Sequence, residues 1–103
     1  MKNKKLISLF ALLFLTTSIF AFEQKEVAVK SNSMNKDVLV TVITPEGYST
    51  EQSYPVIYLL HGYGGNHTVW AQDGVVGQLA DQYNLIVVMP DGARDSWYFD
   101  SLV

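Results

Sequence analysis

The sequence predicts an α/β protein with a mixed sheet, and three observations carry the prediction. Two strand-forming segments precede Pro45, the first marked by alternation and the second by β-branched residues. Two uninterrupted apolar segments, residues 56–60 and 85–89, follow, as is typical of strands that are covered on both faces in a parallel sheet. A helical repeat of apolar residues lies between them. A hairpin followed by one right-handed βαβ unit gives a mixed sheet with parallel strands at its centre.

The first two strands are expected to pair as an antiparallel hairpin. Residues 23–30 alternate, with Val27 and Val29 on one side, which predicts a strand that is exposed on one face. Residues 31–36 are polar and turn-like. Residues 37–44 are strongly strand-forming and stop at Pro45, because the residue before a proline is a frequent element boundary.

The βαβ unit begins at Pro55, directly before the apolar strand 56–60. Its helix is predicted from Asp73, a plausible N-cap, to Tyr83, since Val75, Val76, Leu79 and Ala80 recur at helical spacing. The second buried strand, residues 85–89, is closed by Pro90. We expect this strand to present a free apolar edge, which is prone to aggregation.

Residues 1–21 are predicted to form a secretory signal peptide. Lysines precede the apolar run from Leu6 to Leu15, and the small residue Ala21 marks the expected cleavage point. The alternative is a membrane anchor, because the apolar stretch is close to the shortest length that spans a bilayer, roughly 17 residues. We expect the cleaved form, so that residues 22–103 are secreted or periplasmic and not stably inserted in a membrane.

The composition of the mature chain argues against one class of partner and against disulfide bonds. Without residues 1–21 the chain has four basic and ten acidic residues, a net charge of −6. An acidic chain without a basic patch argues against nucleic acid as a partner, because phosphate neutralisation needs clustered Lys and Arg. The sequence has no cysteine and therefore no disulfide framework. A domain of about 80 residues buries only about 60% of its unfolded surface, so we expect marginal stability.

The segment His61-Gly62-Tyr63-Gly64-Gly65 is the candidate site, because it turns directly after an apolar strand. A dinucleotide fingerprint fails, since His67 stands at the third glycine position, and a phosphate loop fails for lack of Gly-Lys-Ser/Thr. An oxyanion turn remains, in which the backbone N–H of Tyr63 or Gly64 faces a substrate carbonyl. Gly62 and Gly65 shape this turn, and His61 is expected to hold it by a side chain to backbone hydrogen bond.

Other polar and aromatic residues leave alternatives open. His67 is expected in a surface loop, and its spacing from His61 matches no helical ligand pair, so no metal and no cofactor are expected. Trp97 and Tyr98 follow the second buried strand. They lie either in a solvated loop or in a substrate pocket at the carboxyl end of the sheet, where α/β folds place their ligands.

The chain resembles the esterase D-like family of the α/β-hydrolase superfamily, which includes feruloyl and acetyl esterases, S-formylglutathione hydrolases and antigen 85 mycolyltransferases. The resemblance covers about residues 25–101. It rests on residues 54–65, Trp70, Val87-Val88-Met89-Pro90-Asp91-Gly92 and Ser96-Trp97-Tyr98-x-Asp100. It implies an incomplete α/β-hydrolase fold, with residues 22–103 as the amino-terminal part of an esterase domain and Tyr63 N–H as an oxyanion donor.

The family's second oxyanion donor follows a serine nucleophile, and the triad order is Ser, Asp or Glu, His. Gly-x-Ser-x-Gly does not occur in this sequence; the nearest approach, around Ser49, has Glu51 at the last glycine position. The resemblance therefore implies a serine carboxylesterase acting on small-molecule or polysaccharide-linked esters. Residues 22–103 are expected to be inactive on their own. The alternative is a non-catalytic carbohydrate-binding module that uses Trp70, Trp97 and Tyr98.

Overall fold

The computed structural model describes residues 21–98, and these form a mixed sheet with one helix packed against it. The strands are β1 (Glu23–Ser31), β2 (Lys36–Thr44), β3 (Val56–Tyr58) and β4 (Ile86–Pro90). A single-turn 3-10 helix at Val69–Ala71 and the helix α1 (Val75–Tyr83) connect β3 to β4. The order across the sheet is β1-β2-β4-β3.

The predicted hairpin is confirmed. Strands β1 and β2 pair antiparallel over their whole length, from Glu23 opposite Thr44 to Ser31 opposite Lys36. Asn35 takes the left-handed conformation in the connecting turn, with φ of 51°, which asparagine tolerates better than most residues. Strand β1 differs from expectation in one respect: it is exposed on both faces, with Val27 and Val29 42% and 49% accessible.

The βαβ unit is also confirmed, because β3 and β4 pair in parallel with α1 in the connection between them. The N-cap of the helix is Gly74, at φ of 77°, one residue after the predicted Asp73. Asp73 Oδ1 accepts the N–H of Val75 at 3.1 Å and so satisfies one free donor of the first turn. Asn84 ends the helix in the left-handed conformation, and Leu85 N–H donates to Ala80 O, as in a Schellman motif.

The position of β4 corrects the expected strand order. It lies between β2 and β3, antiparallel to β2 and parallel to β3, so it does not carry the free edge of the sheet. Within residues 21–98 that edge belongs to β3. The three residues of β3 are therefore 46%, 42% and 67% exposed, although their apolar character predicted burial on both faces.

The core lies between the sheet and α1. Ile43 and Ala80 are fully buried, and Val87 and Met89 face the same side of β4, as alternation along a strand requires. Gly77 lets the helix approach Phe22 closely, since a Cβ at this position would overlap the phenylalanine ring. The members of the cluster and its neighbours are Ile43, Ala71, Ala80, Val87, Met89, Phe22, Leu59, Val76 and Leu85.

The described residues hold no helix that is both long enough and apolar enough to cross a bilayer. The predicted signal peptide, apart from Ala21, lies outside these residues and stays a prediction.

Replacing Ile43 with alanine is expected to lower the free energy of unfolding by about 2 to 5 kcal/mol, because a fully buried side chain leaves a cavity. Val29→Ala on the exposed strand β1 is the matched control and should change it by about 0.5 kcal/mol or less. Urea unfolding of both variants measures the difference. Equal midpoints for the two variants would show that the sheet and helix do not pack as described.

Candidate active site

Two loops meet at the carboxyl edge of the parallel strand pair. The glycine turn, residues 61–65, follows β3, and the β4 loop, residues 91–98, follows β4. Adjacent parallel strands place the loops at their carboxyl ends side by side, which is where open α/β sheets bind ligands. Between the loops lies an open, mainly apolar cavity of about 240 Å³, lined by Leu60, His61, Gly62, Tyr63, Ala93, Arg94, Asp95, Trp97 and Tyr98.

The buried ring of His61 links the two loops. Its Nδ1–H donates to Gly62 O at 2.8 Å, and its Nε2 accepts the Gly92 N–H at 3.0 Å. A carbonyl only accepts and an N–H only donates, so this pattern assigns a neutral ring with the proton on Nδ1. Asp91 Oδ1 lies 3.7 Å from Nε2, but this contact is not an ion pair, because the Nε2 lone pair already accepts a hydrogen bond.

The two N–H groups predicted as oxyanion donors, those of Tyr63 and Gly64, differ in whether they are already hydrogen-bonded. Gly64, at φ of 77°, donates its N–H to Arg94 O at 2.9 Å, which ties the turn to the β4 loop. Gly65 N–H donates to Gly62 O at 3.1 Å and closes the turn. Nothing within residues 21–98 accepts the N–H of Tyr63. The geometry therefore favours Tyr63 over Gly64 as the donor available to a ligand.

Trp97 and Tyr98 lie beside the glycine turn. The Tyr98 hydroxyl donates to His61 O at 3.1 Å, and the two rings are 5.4 Å apart. Trp97 stacks on Tyr63 with ring centroids 6.1 Å apart. Burial raises the pKa of the Tyr98 phenol. Both side chains line the cavity, and their contact with a substrate stays a prediction.

His67 is buried, although the sequence predicted that it would lie in a surface loop. Its Nε2 lies 2.8 Å from Glu26 Oε2, and its Nδ1 lies 3.2 Å from Asp91 Oδ2. The hydrogen bond to Glu26 raises the pKa of His67, burial opposes it, and Asp91 adds to the rise. Burial acts to raise the pKa of Asp91, but the Ala93 N–H and His67 together hold it below its usual value.

Three groups at the site make hydrogen bonds that were not predicted from the sequence. The Trp70 indole N–H donates to Leu60 O at 3.1 Å and so fixes the residue before the glycine turn. The Gly92 N–H and the Arg94 carbonyl hold His61 and Gly64. Trp70 was part of the motif that carried the family resemblance, whereas backbone donors and acceptors leave no signal in a sequence.

The model of a protein family described as "Putative esterase" matches residues 31–102. An endo-1,4-beta-xylanase/feruloyl esterase of Xylanibacter ruminicola is 32% identical over 90 residues, which are 76% of this chain and 12% of that protein. An esterase of Mycobacterium tuberculosis is 38% identical over 61 residues, which are 57% of this chain and 13% of that protein. A solved ferulic acid esterase has a TM-score of 0.64 and 29% identity, covering 72% of this chain.

The chain spans only a small part of these proteins. It covers 12% and 13% of the two curated relatives and 31% of the ferulic acid esterase chain. The match therefore concerns the sheet and the two loops described above, and not the remainder of those proteins.

Replacing Gly92 with alanine is expected to displace Tyr98, because a Cβ at this position would overlap the Tyr98 ring. The raised pKa of the Tyr98 phenol, which burial causes, should then fall toward its ordinary value of 10.0. NMR titration of tyrosine labelled with ¹³C measures it. Gly62→Ala is the control, since a Cβ there meets open space. An unchanged Tyr98 pKa in Gly92→Ala would contradict the placement of this ring.

Proposed function

The chain belongs to the esterase family described as "Putative esterase", and from that premise we propose that it contributes the first oxyanion donor to a secreted serine carboxylesterase. The serine, the acid and the catalytic histidine are then supplied by residues outside this sequence, and the 103 residues alone hydrolyse no ester. The observation that carries the proposal is the Tyr63 N–H, which is unpaired within the described part of the chain.

In the proposed reaction the catalytic histidine takes the proton of the serine hydroxyl as the serine oxygen attacks the ester carbonyl, and the carbonyl oxygen becomes negatively charged. The Tyr63 N–H donates a hydrogen bond to this oxygen. The alcohol leaves with a proton from the catalytic histidine, and water then hydrolyses the acyl-enzyme through a second tetrahedral intermediate. The donor acts best if the turn does not reorganise during the reaction, and the bonds from Gly64 and Gly92 support such rigidity.

The proposed substrate is an ester of a small molecule or of a polysaccharide, with an apolar acyl group beside Tyr63. The mainly apolar lining of the cavity supports this choice, since apolar pockets with few polar groups are typical of small-molecule sites. Two of the similar proteins are named feruloyl or ferulic acid esterases. Family membership favours this function over the carbohydrate-binding module.

We further propose that residues 1–21 are removed on export and that the mature chain acts outside the cytoplasm. The exported chain should begin at Phe22, and intact-mass measurement of the protein recovered outside the cytoplasm checks this. Ala21→Asp should block processing, because signal peptidases require a small residue before the cleavage point. Recovery of an uncleaved chain from the membrane fraction would favour the anchor instead.

The role of the Tyr63 N–H as a donor can be tested by removing this N–H alone. We propose a chimera in which residues 22–98 replace the matching part of the ferulic acid esterase described above. Tyr63 is then replaced by its α-hydroxy acid, which turns the backbone N–H into an ester oxygen. Loss of one oxyanion donor should lower kcat by about 10² to 10³ with little change in KM.

Two controls accompany this measurement. Tyr63→Phe keeps the backbone N–H and the ring and should retain kcat within about threefold, because only a hydroxyl is lost. The 103-residue chain by itself should give no turnover of p-nitrophenyl acetate above background. An active chimera whose kcat is insensitive to the α-hydroxy acid, or turnover by the 103-residue chain, would sink the proposal.

A further inference from the structure

The ring of His67 has a carboxylate oxygen at each of its nitrogens. Glu26 Oε2 is 2.8 Å from Nε2 and Asp91 Oδ2 is 3.2 Å from Nδ1. Ionised carboxylates only accept hydrogen bonds, so a neutral imidazole, with one N–H, would direct a lone pair at one of them. Both contacts are satisfied only when His67 is an imidazolium, and such charge-assisted bonds are stronger than neutral ones.

This imidazolium connects parts of the chain that are far apart in sequence. Glu26 belongs to the edge strand β1, His67 lies just after the glycine turn, and Asp91 begins the β4 loop. The second oxygen of Asp91 accepts the Ala93 N–H at 2.8 Å. The cluster therefore fixes the start of the same loop whose Gly92 N–H holds the ring of His61.

We propose that His67, held as an imidazolium between Glu26 and Asp91, is a positioning residue. It fixes the glycine turn and the β4 loop relative to each other and makes their rigidity depend on pH. Its role in catalysis rests on the proposed function. The pH dependence of the hydrogen bonds of His67 does not rest on the proposed function, since it concerns only the contacts of this residue.

Other ionisable groups lie near the cluster, and the Tyr98 phenol is one of them, since the charge of Asp91 acts to raise its pKa. His61 is neutral by its hydrogen bonds and has Nε2 3.7 Å from Asp91. Lys36 and Asp37 line a cavity beside Asp91, and Lys25 pairs with Glu23 at 3.5 Å, outside the cluster. When His67 loses its proton, Glu26 and Asp91 are left facing a neutral ring, and one of the two charge-assisted bonds is lost.

The sign of the pH dependence follows from the direction of each pKa. The raised pKa of His67 means that its stabilisation is fully present below the ordinary value of 6.5 and is lost as pH rises through the folded pKa. The lowered pKa of Asp91 means that its stabilisation is present above 3.8 and is lost as pH falls through its folded pKa. Both stabilising contributions are therefore fully present between the ordinary values of 3.8 and 6.5; that of Asp91 is lost below this range and that of His67 above it.

The test uses the full 103-residue chain, labelled with ¹⁵N, and needs no ester substrate. NMR titration of the histidine rings gives the pKa of His67, and hydrogen exchange gives the protection of the Gly64 amide, which donates to Arg94 O. Protection should fall on the order of tenfold as pH rises through the His67 pKa, as expected for one lost charge-assisted bond. His67→Gln should show the lower protection at every pH.

Glu26→Gln removes one carboxylate charge and should lower the pKa of His67 and shift the protection profile to lower pH with it. Glu23→Gln, on the same strand but outside the cluster, is the matched control and should shift neither. A His67 pKa at its ordinary value, which an unfolded chain would also give, overturns the proposal. So does Gly64 protection that is independent of pH in the wild type.

Discussion

The imidazole of His61 lies between the two loops of the site and bonds to the backbone of each, through Gly62 O and Gly92 N–H. Neither loop has regular secondary structure of its own, so their separation depends on such cross-links. Gly64 N–H to Arg94 O and Tyr98 OH to His61 O act in parallel with it. Gly64 N–H and Gly65 N–H are both engaged in hydrogen bonds, whereas nothing within residues 21–98 accepts the N–H of Tyr63, so this N–H can face a ligand.

The fold was predictable where local pattern decides it. Alternation marked the hairpin, continuous apolar runs marked β3 and β4, and helical spacing marked α1 to within two residues. The strand order was not predictable in this way. A run such as Val56–Tyr58 has the same composition whether it becomes a central or an edge strand, so β4 was wrongly expected at the edge.

The composition of the glycine turn predicted a site there, and Trp97 and Tyr98 were predicted either in a solvated loop or in a substrate pocket; both line the cavity beside the turn. The choice between Tyr63 and Gly64 depended on the Arg94 carbonyl, 30 residues away, and every residue has a carbonyl. His67 was expected at the surface for a similar reason. Its partners, Glu26 and Asp91, are 41 and 24 residues distant, and a lone histidine between polar neighbours carries no sign of them.

The function proposed for Tyr63 depends on where its N–H points during acyl transfer. A crystal structure of the active chimera, inactivated with a phosphonate on its serine, measures this directly, because the phosphonyl oxygen stands where the oxyanion forms. We expect the Tyr63 nitrogen within about 2.7 to 3.1 Å of that oxygen, with Gly64 N–H still bonded to Arg94 O. An oxygen that bonds to Gly64 N–H, or that contacts neither amide, would contradict the assignment.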